Sequence, residues 1–169
     1  MTFARRSVAQ IILLVLSVIG IGVSIYLTYV HYNSGALVCT TSGLVNCERV
    51  LSSMYSVVPG TSIPISVPGL LWFLVSGALA AVAWLARPAL RLVRLAEFAW
   101  CCVGLLTVLY LVYVELVRLH TICAWCTSLH VIILVMLLIT VVSLYNGEGN
   151  AYDDEEDEEV LPSKAASRR

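Results

Sequence analysis

The sequence predicts an all-α membrane protein, a bundle of four transmembrane helices with a long extracytoplasmic loop between helices one and two. Of its 169 residues, 60% are hydrophobic and only 12% are charged, and the mean hydropathy is +0.92. So few charges cannot coat a water-soluble surface, and such a composition is typical of integral membrane proteins. We therefore expect a lipid bilayer around the chain, and nothing in the charge pattern predicts binding to nucleic acid.

Four apolar stretches have the length of a membrane span, which for a helix rising 1.5 Å per residue is about 20 residues. They cover residues 7–30, 68–86, 95–117 and 124–145, and Glu115 is one of the charges that bound the third. The first stretch is longer than the apolar core of a signal peptide, so we expect it to remain as an anchor.

The arginines are distributed unevenly among the connections. They flank the start of the first span and fill the connection between the second and third spans, at Arg5, Arg6, Arg87, Arg91 and Arg94, whereas the other two connections carry Arg49 and Arg118. The positive-inside rule then predicts that both termini are cytoplasmic. The same rule puts residues 31–67 and the turn before residue 124 on the outer face.

The long polar loop and the end of the chain complete the domain organisation. Within residues 31–67, Asn46 is the predicted cap of a short helix at 48–55, and a loop of this length between spans is expected to fold over the helices as a functional lid. Residues 1–146 are predicted to form the transmembrane domain. Residues 147–169 contain a run of consecutive acids and are predicted to be a disordered acidic cytoplasmic tail.

Two cysteine pairs lie on the face predicted to be outside, which is the oxidising side of a membrane. Cys39 and Cys47 are in the polar loop, and Cys123 and Cys126 form a Cys-x-x-Cys pair at the start of the last helix. A mobile pair can collect electrons from a soluble protein and transfer them through a mixed disulfide to a fixed pair. In a bilayer the two-electron acceptor at hand is a lipid-soluble quinone, of the menaquinone or ubiquinone type, beside Cys126.

Two other interpretations of these four cysteines stay open. A zinc site would use all four as ligands, although structural zinc sites usually combine two closely spaced pairs and only one such pair is present. A non-catalytic membrane scaffold would hold them as two inert disulfides, although the ring of a Cys-x-x-Cys disulfide is too short to constrain the unfolded chain much. The redox interpretation is preferred, and no metal is expected.

Further candidate residues lie near the fixed pair and in the third span. His130 follows Cys126 by one helical turn on the same face, where its ring can hydrogen-bond a quinone oxygen or move a proton. Trp125 is expected to be an interfacial aromatic residue or one wall of the quinone pocket. Cys101 and Cys102 are adjacent in the third span and are expected to pack as small hydrophobic residues.

Three motifs taken together resemble the vitamin K epoxide reductase family. They are the loop segment Cys39-Thr-Thr-Ser-Gly-Leu-Val-Asn-Cys47-Glu-Arg-Val-Leu-Ser-Ser53, the Pro68-Gly69 that opens the second span, and the Cys123-Ala-Trp-Cys126 that opens the fourth. The resemblance covers about residues 8–145, and it is specific because cysteine spacing, helix order and sidedness agree at once.

The resemblance implies a four-helix bundle around a quinone and a loop pair that exchanges electrons with a thioredoxin-like extracytoplasmic protein. It implies that Cys126 lies beside the quinone, that Cys123 exchanges with Cys47, that Cys39 faces the partner, and that Ser53 supports the loop.

This chain departs from the animal members of that family at two positions that concern the quinone. His130 stands where they carry a tyrosine, and Ile65 stands where they carry an asparagine. We also expect no fused thioredoxin-like domain. These features favour a bacterial-type member that reduces a quinone and so drives disulfide formation in exported proteins, with reduction of vitamin K epoxide as the alternative within the family.

Overall fold

The computed structural model describes residues 2–33, 37–39, 42–85 and 91–166, and this part of the chain is almost entirely helical. The helices are α1 (Thr2–Tyr32), α2 (Cys47–Leu51), α3 (Ser66–Leu85), α4 (Arg91–Tyr113) and α5 (Ala124–Ala166). Four stretches of these helices are long and apolar enough to cross a membrane, at Val8–Tyr32, Ser66–Leu85, Leu92–Leu119 and Ala124–Tyr145. The predicted four-helix membrane protein is thus confirmed.

Helix α5 continues beyond its predicted end. Its backbone is helical to Ala166, whereas the sequence predicts disorder from residue 147 onwards. Glutamate, leucine, alanine and lysine are strong helix formers, and adding residues to an existing helix avoids the cost of nucleating a new one. The division into a membrane domain, 1–146, and an acidic cytoplasmic tail, 147–169, stays a prediction, and residues 167–169 lie outside the described residues, as do residues 86–90 with Arg87.

Helices α1 and α3 pack closely because small residues lie between them. A Cβ atom added at Gly77 would lie 3.3 Å from the Ser17 Cβ, and one added at Gly20 would overlap the ring of Phe73. Phe73 is only 1% exposed. One buried core cluster of the bundle contains Leu13, Trp72, Phe73, Ala80 and Met136.

Gly20→Ala is expected to lower the free energy of unfolding in detergent by about 1–3 kcal/mol, because the new methyl group must displace a tightly packed aromatic ring. Gly22→Ala is the matched control, since a Cβ at Gly22 meets nothing within 4 Å and both variants gain the same helix propensity. Thermal unfolding of the two variants measures the difference. Equal stability of the two would contradict this account of the α1–α3 contact.

A π-helical turn, Val114–Leu119, continues α4, and His120 caps it with a φ of 49°, in the left-handed region. A π turn holds more residues than an α turn, so it rotates the side chains that follow Tyr113 around the helix axis. Val114 and Glu115 are both buried there, at 3% and 5% exposure. The chain then reverses and α5 begins, which puts the Cys-x-x-Cys pair beside the π turn.

Candidate active site

The polar loop is attached to the turn that precedes α5 by backbone hydrogen bonds. The Ile122 N–H donates to the Leu44 carbonyl at 2.9 Å, and the Asn46 N–H donates to the Ile122 carbonyl at 3.0 Å. Cys47 follows Asn46 in the chain and Cys123 follows Ile122. This pairing of two distant segments therefore brings one cysteine of each pair to the same place.

Capping interactions hold the short helix that carries Cys47. Asn46 accepts the backbone N–H of Arg49 at 3.0 Å through Oδ1, as expected of the predicted cap. The Ser53 hydroxyl donates to the Val50 carbonyl at 2.8 Å, and the Ser56 hydroxyl donates to the Ser53 carbonyl at 2.8 Å. The helix is shorter than predicted because a 3-10 turn at residues 54–56 follows it. Support of the loop by Ser53 agrees with these bonds and stays a prediction.

The two cysteine pairs are in different redox states. Cys39 and Cys47 form a disulfide with an S–S distance of 2.01 Å, whereas Cys123 and Cys126 are free thiols. Cys47 is 1% exposed and Cys123 is 0% exposed, and both belong to one buried cluster with Val50. Cys39 and Cys126 are only half-buried. The two most buried of these four cysteines are therefore Cys47 and Cys123, one from each pair, and they lie in the same cluster.

Trp125 fixes the segment that leads to Cys39. Its indole N–H donates to the Val38 carbonyl at 2.9 Å, the Val38 N–H donates to the Tyr26 hydroxyl at 2.9 Å, and the rings of Tyr26 and Trp125 lie 4.9 Å apart. An outer groove of about 440 Å³ adjoins these residues; Val38, Cys39, Ser42, Val45, Ala124 and Trp125 line it. Trp125 therefore holds the loop and borders this groove, and it does not line the cavity inside the bundle.

A cavity of about 360 Å³ lies inside the bundle, beneath the loop. Helix α5 contributes Cys126 and His130 to its lining, and the loop covers it with Leu51, Ser56, Pro64 and Ile65. The lining is mostly apolar. Ile65, one of these residues, gives the cavity an apolar side chain at this point of its wall.

Two tryptophans build a flat wall of the cavity. Trp72 and Trp100 stack with centroids 6.4 Å apart and an interplanar angle of 9°, and each indole N–H donates to the other residue's carbonyl at 3.2 Å. A Cβ added at Gly104 would lie 2.5 Å from the Trp72 ring, so glycine is needed for this approach. Leu71 and Val103 also line the cavity and are 58% and 49% exposed, which opens it sideways between α3 and α4.

His130 is buried at 7% exposure and lines the cavity one helical turn beyond Cys126. In the part of the chain that the structure describes, no residue hydrogen-bonds its ring. A buried imidazole without a protein partner is available to hydrogen-bond a ligand in the cavity. The quinone-binding role of His130 stays a prediction that this placement supports.

Glu115 is a site residue that the sequence analysis missed. Its carboxyl group lies close to the backbone N–H of Cys123 and to the thiol of Cys126. Sequence reasoning treats Glu115 only as a charge near the end of the third span, because the π turn that directs it inward has no recognisable sequence signal. A single acid at the end of an apolar span, shortly before a Cys-x-x-Cys pair, was the available hint.

The pKa of the Cys123 thiol is lowered from its ordinary value, chiefly because the Cys126 thiol hydrogen-bonds it and also because the Cys126 N–H points at its sulfur from 3.5 Å. Burial and the nearby Glu115 carboxylate act in the opposite direction. A lower pKa means that the thiolate, which is the nucleophile in disulfide exchange, forms at lower pH.

Cys126→Ala is expected to move thiolate formation by Cys123 to higher pH, since the variant removes the thiol donor that stabilises the anion. The measurement is ultraviolet thiolate absorbance against pH, in protein whose other four cysteines are alanine. Cys126→Ser retains an O–H donor and should shift the midpoint less. The same midpoint in all three proteins would show that Cys126 does not stabilise the Cys123 thiolate.

The other two cysteines lie apart from this site in α4. Cys101 is 4% exposed with its sulfur 3.8 Å from the Thr140 hydroxyl, and Cys102 is half-buried; both are free thiols. Their placement agrees with a packing role. Among the described residues, no group of three or more His, Cys, Asp or Glu side chains is arranged to hold a metal ion.

A four-helix membrane bundle with a free dithiol beside an apolar cavity, and a disulfide next to that dithiol, defines a class of protein, the membrane oxidoreductases. A sequence model of the vitamin K epoxide reductase family matches residues 11–141. The match covers most of the chain, and the protein belongs to the vitamin K epoxide reductase family. No individual curated protein matches it.

Proposed function

We propose that the protein transfers electrons from a thioredoxin-like extracytoplasmic protein, through its two cysteine pairs, to a membrane quinone. The order of the four sulfurs carries the proposal. Cys39 borders the outer groove, Cys47 and Cys123 share a buried cluster, and Cys126 lines the cavity. Electrons that enter at Cys39 therefore have a path through adjacent sulfurs to the cavity. The result would be disulfide formation in exported proteins.

The outer half of the reaction is a series of thiol-disulfide exchanges. A thiolate of the partner attacks Cys39, because Cys39 is half-buried whereas Cys47 is 1% exposed. The partner's second thiol releases Cys39, and the partner leaves oxidised. Cys47 then attacks Cys123 of an oxidised inner pair, Cys126 leaves as the thiolate, and Cys39 attacks Cys47 to release Cys123. Two electrons have then moved to the inner pair.

The inner half of the reaction re-forms the Cys123–Cys126 disulfide. A bound quinone supplies a two-electron acceptor, and the two thiols lose two electrons and two protons as it becomes a quinol. The stacked tryptophans give the cavity a flat apolar wall against which a quinone ring could lie. His130 gives the same cavity a polar group that could contact a quinone oxygen. The gap between α3 and α4 would admit a menaquinone or ubiquinone from the bilayer.

The outer loop also carries apolar side chains that suit a protein partner. Val38, Leu44 and Met54 are 75%, 67% and 77% exposed. Exposed apolar groups on the loop that carries the Cys39–Cys47 disulfide suit a transient complex with a thioredoxin-like protein. The arginine distribution supports cytoplasmic termini and extracytoplasmic cysteine pairs.

The test uses purified protein in detergent, reduced at the inner pair and mixed with a menaquinone or ubiquinone analogue. We expect about one quinone to be reduced for each inner dithiol oxidised, by the stoichiometry of a two-electron exchange, as followed by quinone absorbance. Fully oxidised protein is the control and should reduce none. If neither quinone is reduced but vitamin K epoxide is, the animal-type alternative replaces this proposal, and inertness towards both would favour the scaffold.

A further inference from the structure

Glu115 has an environment that its position at the end of a span does not require. Its side chain is 5% exposed, in the π turn that closes α4. In the described part of the chain its carboxyl group contacts Cys123 and Cys126 rather than a lysine or arginine. A buried carboxylate without a cationic partner is costly to maintain and is typical of a functional site.

Capping of α5 does not by itself explain a carboxyl group at this position. The Cys123 N–H lies near this carboxyl group, and a glutamine side chain could accept a hydrogen bond from it equally well. The contact with the Cys126 thiol is different, because only an acidic group can take the proton of that thiol and later give it back. The sulfur it touches is the one that lines the cavity.

We propose that Glu115 is a catalytic residue that exchanges a proton with Cys126. In this role, which rests on the proposed function, Glu115 accepts the Cys126 proton when Cys123 and Cys126 form their disulfide. It returns that proton to the Cys126 sulfur when Cys47 attacks Cys123 and Cys126 becomes the leaving group. The residue thus acts as general base in one half-reaction and as general acid in the other.

The atoms and electrons balance over the cycle. Formation of the S–S bond between Cys123 and Cys126 releases two electrons to the quinone, and their protons go one to the quinone and one to Glu115. Water at the outer face supplies the second proton of the quinol. When the inner disulfide is next reduced, Glu115 protonates Cys126 and water protonates the released Cys123 thiolate. The two loop thiols release their two protons to the same water, so neither Glu115 nor the inner pair is changed at the end of the cycle.

The kinetic test compares Glu115→Gln with Glu97→Gln. Glutamine at 115 keeps the size and the hydrogen-bond acceptor but cannot take a proton. Glu97 is a matched control, since it is a buried glutamate of α4, at 6% exposure, and it is hydrogen-bonded by Gln10 near Cys101, away from the two cysteine pairs. Single-turnover quinone reduction should fall about tenfold to a hundredfold in Glu115→Gln and stay near wild type in Glu97→Gln.

Exchange between the partner and Cys39 should be unchanged in Glu115→Gln, because Cys126 takes no part in it. If Glu115→Gln slows this exchange as much as it slows quinone reduction, and also lowers the melting temperature, Glu115 has a structural role and the proposal is overturned. Glu115→Asp keeps an acid and should recover part of the rate. A Glu115→Gln protein that reduces quinone within about twofold of wild type would likewise overturn it, since general bases typically contribute far more.

An infrared difference spectrum between the oxidised and reduced inner pair tests the proton transfer without turnover. A protonated carboxyl band should be present in the oxidised protein, disappear on reduction, and be missing from Glu115→Gln but not from Glu97→Gln. If the same change in the carboxyl band is seen in Glu115→Gln, another group carries the proton and the proposed role of Glu115 is overturned. If wild-type protein shows this band change but reduces no quinone, the proposed acceptor fails while the exchange between Glu115 and Cys126 stands.

Discussion

Replacing Cys39 and Cys126 together with alanine is expected to leave most of the protein with a disulfide between Cys47 and Cys123 and with no quinone reduction. Cys47 and Cys123 are 1% and 0% exposed in one buried cluster, so we expect them to pair with each other once Cys39 and Cys126 are absent. A disulfide between them would persist, because the two thiols able to resolve it are missing. Mass spectrometry of peptides digested without reductant measures the fraction trapped.

The matched control for this trap replaces Cys39 and Cys102 with alanine. It removes the same number of cysteines but keeps Cys126, which can attack Cys123 and free Cys47. This control should therefore hold the Cys123–Cys126 disulfide and a free Cys47. Recovery of Cys47 and Cys123 as free thiols from the Cys39/Cys126 variant, under oxidising conditions, would exclude the proposed route between the pairs.

His130→Ala is expected to slow quinone reduction at least several-fold. Loss of one hydrogen bond to a quinone oxygen corresponds to about 0.5–1.5 kcal/mol. If that oxygen gains negative charge in the transition state, the rate should fall by about a hundredfold. Removing a hydrogen-bond donor from an oxyanion site has an effect of this size. The ring is buried, lines the cavity and has no hydrogen-bond partner among the described residues, so its removal disrupts no protein contact of that kind. Quinone absorbance in a single turnover measures the loss.

His120→Asn serves as the control for the histidine. His120 is the exposed residue with φ 49°, a conformation that asparagine tolerates, and it does not line the cavity. The His120→Asn variant should reduce quinone at the wild-type rate. In His130→Ala the exchange between Cys47 and Cys123 should also be normal, and equal slowing of that exchange and of quinone reduction would mean that His130 supports the thiols rather than the acceptor.

The features that sequence reasoning obtained are those whose causes are local. Each span follows from an apolar run of sufficient length, and the cap at Asn46 follows from a side chain that can accept a nearby N–H. Placing Cys126 and His130 on one face needs only the helical repeat. The family assignment likewise depends on residue order and spacing, which a linear sequence contains in full.

The features that sequence reasoning did not obtain depend on contacts between distant segments or on irregularities of the backbone. Trp125 was expected to be an interfacial aromatic residue or one wall of the quinone pocket, which stays a prediction. Its hydrogen bond to the Val38 carbonyl, 87 residues away in the chain, could not be read from the sequence. Glu115 was counted as the edge of a span, because a π turn redirects it and such turns have no reliable sequence signal. The continuation of α5 to Ala166 was missed because composition argued against a buried face, while an extended helix needs none.

The sequence by itself determined that this is a four-span membrane protein of the vitamin K epoxide reductase family with two cysteine pairs. Hydrophobic length and residue spacing are properties of the chain alone, and they need no knowledge of what packs against what. The family resemblance implies which cysteines meet, but only the tertiary structure decided which contacts bring the two pairs together. Hydrogen bonds between Leu44, Asn46 and Ile122 bring the loop to the inner pair, and a π turn adds Glu115 to it. Such contacts form between segments far apart in the chain, so the physical reason for the site lies in the packing of the whole bundle.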